Sequence, residues 1–133
     1  MRVVKRIGII IGGCVILFII GFGIMFIGLS QNMKEIRTIP ITDIDFSKYE
    51  DGTYQGLYYY ENQIGATVEL HIEDGKAVSI IFLDHKYGLG GKAEIIIEDI
   101  IEEQTLLVDD ISGATTSSHI IKLAIQNALE EVQ

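Results

Sequence analysis

The sequence predicts an α+β protein: a small antiparallel-rich sheet covered by two helices, preceded by one N-terminal transmembrane helix. Three observations predict this arrangement. Residues 7–29 are apolar and uncharged, residues 51–85 carry strand-like patterns, and residues 92–104 and 121–132 place apolar side chains at helical spacing. With 133 residues, the chain is long enough for one domain and an attachment, because typical domains have about 100–200 residues.

The apolar stretch 7–29 reads IGIIIGGCVILFIIGFGIMFIGL. A segment of this length can cross a hydrocarbon core of roughly 30 Å at about 1.5 Å per residue. A cleaved signal peptide has a shorter apolar core and a small-residue cleavage site, which does not follow here. The residues IGGC at Cys14 resemble a lipoprotein processing box, but the apolar stretch continues well beyond the cysteine. We therefore expect a transmembrane helix, in contact with the lipid bilayer.

The basic residues flanking this stretch predict its orientation. They are Arg2, Lys5 and Arg6 before it and Lys34 and Arg37 after it. Because cytoplasmic ends carry the excess of Lys and Arg, residues 1–6 are expected to form a cytoplasmic basic end. The protein would then be a single-pass protein of the cell membrane, with everything after Ser30 outside the cytoplasm.

The part of the chain after the stretch is strongly acidic. All 19 Asp and Glu lie after Ser30, against 10 Lys and Arg in the whole chain. Such a surface repels phosphate backbones, so we expect no binding to nucleic acid. Cys14 is the only cysteine, so no intrachain disulfide can form.

Residues 30–50 predict a tether between the helix and the domain. They contain the only proline, Pro40, and apolar residues without a sustained period. Weak alternation at Ile39, Ile41 and Ile44 suggests that part of the tether packs on the domain. The extracytoplasmic domain is expected to occupy residues 51–133.

Three strands are predicted in the first half of this domain. Residues 51–60, DGTYQGLYYY, are rich in aromatic residues, and residues 66–72, ATVELHI, alternate between apolar and polar. Residues 77–85, AVSIIFLDH, place Val78, Ile80 and Phe82 on one face and further apolar residues on the other, so both faces are expected to be covered. Asp74-Gly75, between the second and third strands, is a strong hairpin signal.

The second half predicts two helices. The first is residues 92–104, KAEIIIEDIIEEQ, where isoleucines and glutamates take opposite sides. Residues 105–108, TLLV, are expected to form a short strand, and apolar residues spaced over 121–132 predict a C-terminal helix. The glycine-rich residues 86–91, KYGLGG, are expected to form a turn between strand and helix.

The sequence lacks the motifs of a metal site, of a serine nucleophile and of a nucleotide-binding loop. The histidines at 71, 85 and 119 have no metal-ligand spacing, so no metal site is predicted. There is no G-x-S-x-G elbow, and GLGG lacks the spacing of a nucleotide-binding loop. We therefore predict no catalytic residue.

The run DDISGATTSS, residues 109–118, allows two interpretations. Its Ser and Thr residues are suited to cap the following helix. Alternatively, the free N–H groups and positive dipole end of a helix N-terminus favour a bound phosphate. Gly113 and Ala114 would let such a ligand approach, and Thr115 would offer a hydroxyl where the phosphate would lie.

The residues D-D-I-S-G-A-T resemble the flavinylation motif of the FMN-binding domain family. That domain occurs in the C and G subunits of the sodium-pumping and Rnf-type NADH-driven redox complexes, and in short membrane-anchored bacterial proteins. The motif falls here on Asp109, Ser112, Gly113, Ala114 and Thr115. DGTYQG from Asp51 and VELHIEDGKAVSIIFLDHK from Val68 are also similar to the family, so the resemblance extends over residues 51–132.

The resemblance implies that FMN is bound covalently through a phosphoester to the Thr115 hydroxyl. Ser112, Gly113, Ala114 and Thr116 would contribute to the same cofactor-binding site. A separate flavin transferase would make the bond outside the cytoplasm, taking FMN from FAD with a divalent metal, and Asp109 would be recognised by that transferase. Residues 84–91, DHKYGLGG, are expected to form part of the isoalloxazine pocket.

The chain lacks the extra segments of the large-complex subunits, so it resembles a stand-alone carrier. We expect a membrane-anchored extracytoplasmic flavoprotein that relays electrons, rather than a self-contained enzyme, with a membrane redox partner or a quinone as its partner. Two alternatives stay open: a non-redox membrane-anchored scaffold, in which residues 112–118 are only a helix cap, and a reductase with its own organic substrate.

Overall fold

The computed structural model describes residues 1–88 and 90–130, with the side chains of 2–9 and 26–32 excepted. The chain forms two compact units, Met1–Glu35 and Ile36–Gln133.

The first unit consists of all but the last residue of helix α1, Arg2–Ile36, and this helix contains the whole of the predicted span 7–29. Apolar side chains in 10–25 are exposed in the isolated chain. Among the residues described with their side chains, no helix is both long enough and apolar enough to cross a membrane. Residues 7–9 and 26–29 of the predicted span fall outside that set, and the transmembrane helix stays a prediction.

The second unit begins within the segment predicted as a tether. Ile36, Ile44 and Phe46 are buried in the core, and a 3₁₀ helix forms at Phe46–Lys48. The folded unit therefore starts at Ile36 rather than at Asp51. The weak alternation at Ile39, Ile41 and Ile44 predicted that part of this segment packs on the domain, and the burial of Ile44 agrees with it.

The sheet contains strands β1, Gly52–Tyr60, β2, Ile64–Glu73, and β3, Lys76–Lys86. They pair antiparallel in the order β1-β2-β3. The predicted hairpin between β2 and β3 is confirmed: Asp74 and Gly75 have φ values of 51° and 71°, as a two-residue hairpin turn requires.

Helix α3, Thr115–Glu130, packs on the inner face of β1 and β2. On β2 the alternation is as predicted, with Val68, Leu70 and Ile72 buried. On β1 the helix approaches at Gly56, where an added Cβ would lie 2.1 Å from the carbonyl oxygen of Ala124. This glycine allows the helix to rest directly on the strand.

Strand β3 departs from its predicted pattern at two bulges. The pairing with β2 shifts register between His71 and Ile72 and again between Thr67 and Val68. A bulge inserts an unpaired residue and turns the following side chains over, so Ala77 rather than Val78 faces the core with Ile80 and Phe82. The exposed apolar residues of β3 are Val78, Ile81 and Leu83, at 44%, 47% and 48% exposure. The expectation that β3 is covered on both faces was therefore wrong.

The predicted helix at 92–104 is a 3₁₀ helix, Gly91–Ile95, followed by helix α2, Ile96–Glu103. Residues 105–108 do not form the predicted strand. The amide of Leu106 donates to the Asp43 carboxylate at 3.3 Å, and the Thr105 hydroxyl donates to the same oxygen at 2.6 Å. The Asp43 carboxylate, from the segment predicted as a tether, thus accepts the hydrogen bond that a neighbouring strand would otherwise accept from Leu106. The described part of the chain is an α+β fold with one three-stranded antiparallel sheet.

Candidate functional site

Helix α3 begins at Thr115, within the run singled out from the sequence. Gly113 has a φ of 75°, a conformation that a residue with a side chain rarely adopts. The turn closes where the amide of Ala114 donates to the carbonyl of Ile111 at 2.9 Å, and the amide of Ser118 donates to the Ala114 carbonyl at 2.9 Å. The chain thus reverses at Ser112-Gly113 and enters the helix at Thr115.

Three side chains of the first helical turn are occupied by contacts with other segments. Thr116 Oγ1 accepts a hydrogen bond from Nε of Arg37 at 2.9 Å. Ser118 Oγ accepts one from the amide of Ile111 at 3.0 Å. Ser117 Oγ packs against Gly90, where an added Cβ would lie only 1.9 Å from it. These hydroxyl groups connect the start of α3 to the segments that contain Arg37, Ile111 and Gly90.

Thr115 differs from the three residues that follow it. Its side chain is half-buried, and within the described part of the chain its hydroxyl makes no hydrogen bond. The exposed hydroxyl of Ser112 is also unpaired among the described residues. Thr115 therefore places a free hydroxyl beside the unpaired N–H groups of the helix N-terminus.

Two cationic side chains lie beside this helix start. An added Cβ at Gly113 would lie 2.7 Å from Nζ of Lys92, a residue of the 3₁₀ helix Gly91–Ile95. Arg37 reaches the same turn through Thr116. Among the described residues, neither cation has a carboxylate within salt-bridge distance. Together with the positive end of the helix dipole they make a local positive site on an otherwise acidic chain.

The glycine-rich loop that follows β3 packs against the start of α3. Its turn is closed by a hydrogen bond of 2.8 Å from the amide of Gly90 to the carbonyl of Tyr87. An added Cβ at Gly91 would lie 2.8 Å from the Tyr87 ring. The structure therefore brings the predicted pocket segment 84–91 next to the predicted attachment motif, with Leu89 outside the described residues.

Comparison with protein families gives a match to the FMN-binding domain over residues 59–130. The chain belongs to the FMN-binding domain family. The family resemblance expected from the motif is thus confirmed. No curated protein and no solved structure was found to match the chain.

The matched region contains the glycine-rich loop, Lys92 and the whole of the predicted attachment motif, whereas Arg37 precedes it. In this FMN-binding domain the cation at Thr116 is therefore supplied from outside the matched residues. Sequence reasoning missed this role of Arg37, because nothing local relates residue 37 to residue 116.

His85 is a second residue whose position the sequence did not predict. Strict alternation places it on the face opposite Phe82, but the bulge at Leu83 turns it inward, opposite Ala66. Its side chain is only 3% exposed and its Nδ1 lies 2.9 Å from Oε1 of Glu94. The ring stacks on Phe82 at 5.1 Å between centroids and meets Tyr87 edge-on at 4.9 Å.

The Nε2 atom of His85 is buried and has no hydrogen-bond partner among the described residues. Because buried polar groups are nearly always paired, this ring nitrogen is a candidate contact for a bound group. It lies in the strand that leads directly into the glycine-rich loop of the FMN-binding domain.

The buried Lys122 forms hydrogen bonds with residues on both sides of Asp109, at the start of the motif. Nζ of Lys122, on α3, donates to the Val108 carbonyl at 2.5 Å and to Oδ1 of Asp110 at 2.9 Å. The Lys122 side chain is 7% exposed. Asp109, which is predicted to be recognised by the flavin transferase, lies between Val108 and Asp110, and its side chain is exposed.

These residues fit FMN. The cations and helix N-terminus suit its phosphate, the Thr115 hydroxyl suits a phosphoester, and the glycines allow close approach. The orphaned His85 nitrogen suits a polar group of a bound ring.

Proposed function

We propose that this protein is a membrane-anchored, extracytoplasmic flavoprotein that carries FMN covalently on Thr115 and relays electrons between redox partners. The observation that carries the proposal is the free Thr115 hydroxyl at the start of α3, flanked by Arg37 and Lys92, in a chain of the FMN-binding domain family.

The attachment would exchange the phosphoanhydride bond of FAD for a phosphoester bond to the protein. Oγ1 of Thr115 attacks the FMN phosphorus of FAD, the pyrophosphate bond breaks, AMP leaves, and the threonine loses its proton to a base. A threonine hydroxyl is a weak nucleophile without such a base, and the Thr115 hydroxyl has no hydrogen-bonded base among the described residues. A flavin transferase supplies it, and the exposed Asp109 is the residue that this enzyme recognises.

The residues around Thr115 stabilise the resulting phosphodiester. The guanidinium of Arg37, at Thr116, and the ammonium of Lys92, at Gly113, provide positive charge near the helix N-terminus. Charge-assisted hydrogen bonds of this kind are roughly twice as strong as neutral ones. Ser112, Gly113, Ala114 and Thr116 shape the turn that leaves room for the phosphate.

Bound FMN supplies the one- and two-electron chemistry, while the protein contributes attachment, orientation and electrostatics. The proposed anchor is the uncharged stretch 7–29, with Arg2, Lys5 and Arg6 on its cytoplasmic side. This location would give the flavin access to a membrane redox partner or to a quinone.

Mass spectrometry of the intact full-length chain tests the proposal. After co-expression with a flavin transferase, the chain should gain the mass of one FMN less one water. Thr115→Val should abolish this gain, whereas Thr116→Val, the same substitution one position on, should retain it. Retention of the adduct in Thr115→Val would disprove the attachment site. A colourless, unmodified wild-type chain would favour the non-redox scaffold.

A further inference from the structure

The orphaned Nε2 atom of His85 has defined hydrogen-bonding properties. Nδ1 lies 2.9 Å from the Glu94 carboxylate, and an ionised carboxylate can only accept hydrogen bonds. Nδ1 therefore carries the ring proton. In the neutral tautomer with its proton on Nδ1, Nε2 is a hydrogen-bond acceptor.

In that tautomer the group that pairs with Nε2 is a hydrogen-bond donor. The oxidised isoalloxazine ring has one N–H group, the imide N–H between its two carbonyls. His85 belongs to the strand that enters the glycine-rich loop, and this loop contacts the start of α3 through Gly90 and Ser117. A flavin attached at Thr115 would therefore lie close to the end of β3, which contains Nε2 of His85.

We propose that Nε2 of His85 accepts a hydrogen bond from the imide N–H of the flavin ring, with Glu94 holding the histidine in the required tautomer. This assignment rests on the proposed function, since it requires FMN at this site. Nε2 is closed to solvent in the chain without flavin, so a neighbour must move to admit the ring. Tyr87 meets the imidazole edge-on and is 43% exposed, and the glycines beside it allow it to turn away.

The test compares thermal unfolding of the full-length chain in mild detergent with and without attached FMN, the attachment being verified by intact mass. His85→Phe keeps a ring and removes both nitrogens, whereas His85→Gln retains a side-chain oxygen that can accept a hydrogen bond. His85→Phe also loses the contact between Nδ1 and Glu94, so the midpoint of each variant without FMN is its own reference. The increase in midpoint on flavinylation should be about 4 °C smaller for His85→Phe than for wild type, and His85→Gln should recover part of it.

Equal increases in wild type and His85→Phe would overturn the proposal. Nitrogen-15 NMR gives a second readout: the unprotonated ring nitrogen of His85 should shift on flavinylation, and an unchanged resonance would also overturn it. If Thr115 carries no FMN, the attachment proposal fails separately. FMN added to the unmodified chain then tests His85, with binding about fivefold weaker expected for His85→Phe and equal binding contradicting the assignment.

Discussion

Nε of Arg37 donates a hydrogen bond to Oγ1 of Thr116 at 2.9 Å, although 79 positions separate the two residues. The contact is supported nearby by a 2.7 Å hydrogen bond between Nε2 of His119 and the carbonyl of Ile39. The segment that precedes the sheet therefore borders the proposed flavin site, and it brings a guanidinium to the residue next to the proposed attachment point.

The first prediction concerns Arg37. In a Thr115→Val background, where only non-covalent binding occurs, Arg37→Met should weaken FMN binding about tenfold, because a charge-assisted contact to phosphate is lost. Fluorescence titration measures this. Arg37→Lys should be intermediate, since it keeps the charge but not the planar fork. Lys48→Met, which removes a surface cation that faces Asp45, is the matched control, and an equal effect there would contradict a local role for Arg37.

The second prediction distinguishes two roles of residues 108–110: recognition by the flavin transferase and stabilisation of the fold. Asp109→Asn should block flavinylation without changing the free energy of unfolding, because Asp109 is exposed. Lys122→Met should lower that free energy by about 1–3 kcal/mol, because the Val108 carbonyl and Asp110 lose their partner. Urea unfolding and the rate of adduct formation distinguish the two. Normal flavinylation of Asp109→Asn would exclude its role in recognition.

The third prediction tests the contact between β1 and α3. Gly56→Ala should destabilise the domain by about 1–3 kcal/mol or more, because the new Cβ would meet the Ala124 carbonyl at 2.1 Å. Gly52→Ala on the same strand is the control, since the nearest atom there is 3.9 Å away, and its effect should stay within about 0.5 kcal/mol. Similar urea midpoints for the two variants would argue against the close packing.

The fourth prediction concerns stability at alkaline pH. Burial, followed by a hydrogen bond to Asp84, raises the pKa of Tyr59 above its ordinary value of 10.0. The Tyr59 hydroxyl lies 2.5 Å from Oδ2 of Asp84. Above about pH 10 the unfolded chain releases this proton while the folded chain retains it, so the free energy of unfolding falls as pH rises.

Tyr59→Phe should reduce this loss of stability, and urea unfolding at pH 9 to 11 would measure the difference. The other tyrosines titrate in both proteins, so the comparison isolates Tyr59. The same pH dependence in wild type and Tyr59→Phe would contradict the prediction.

The fifth prediction concerns membrane orientation. With the only cysteine replaced by Cys14→Ser, a new cysteine in Lys48→Cys should react with a membrane-impermeant maleimide in intact cells. The Lys48 side chain is 76% exposed, so poor reactivity would not follow from burial. Labelling that occurs only after lysis would place the domain in the cytoplasm and contradict the proposed extracytoplasmic attachment.

Local residue types were sufficient to predict the α+β class, the hairpin at Asp74-Gly75, a C-terminal helix and the family. Each depends on neighbouring residues: strand alternation on β2, a turn dipeptide, or a run of small and hydroxylic residues. A motif such as SGAT can be recognised in the sequence because all its residues are neighbours in the chain.

Tertiary structure alone decided which residues surround that motif. The bulge at Leu83 turned His85 inward, because one unpaired residue inverts the alternation that follows it. Lys122 is buried because α3 lies against the Val108 carbonyl and Asp110, and Arg37 reaches Thr116 because Ile36, Ile44 and Phe46 bury the segment that was expected to be a tether. These contacts depend on apolar burial and hydrogen bonding between residues far apart in the chain, which no local pattern encodes.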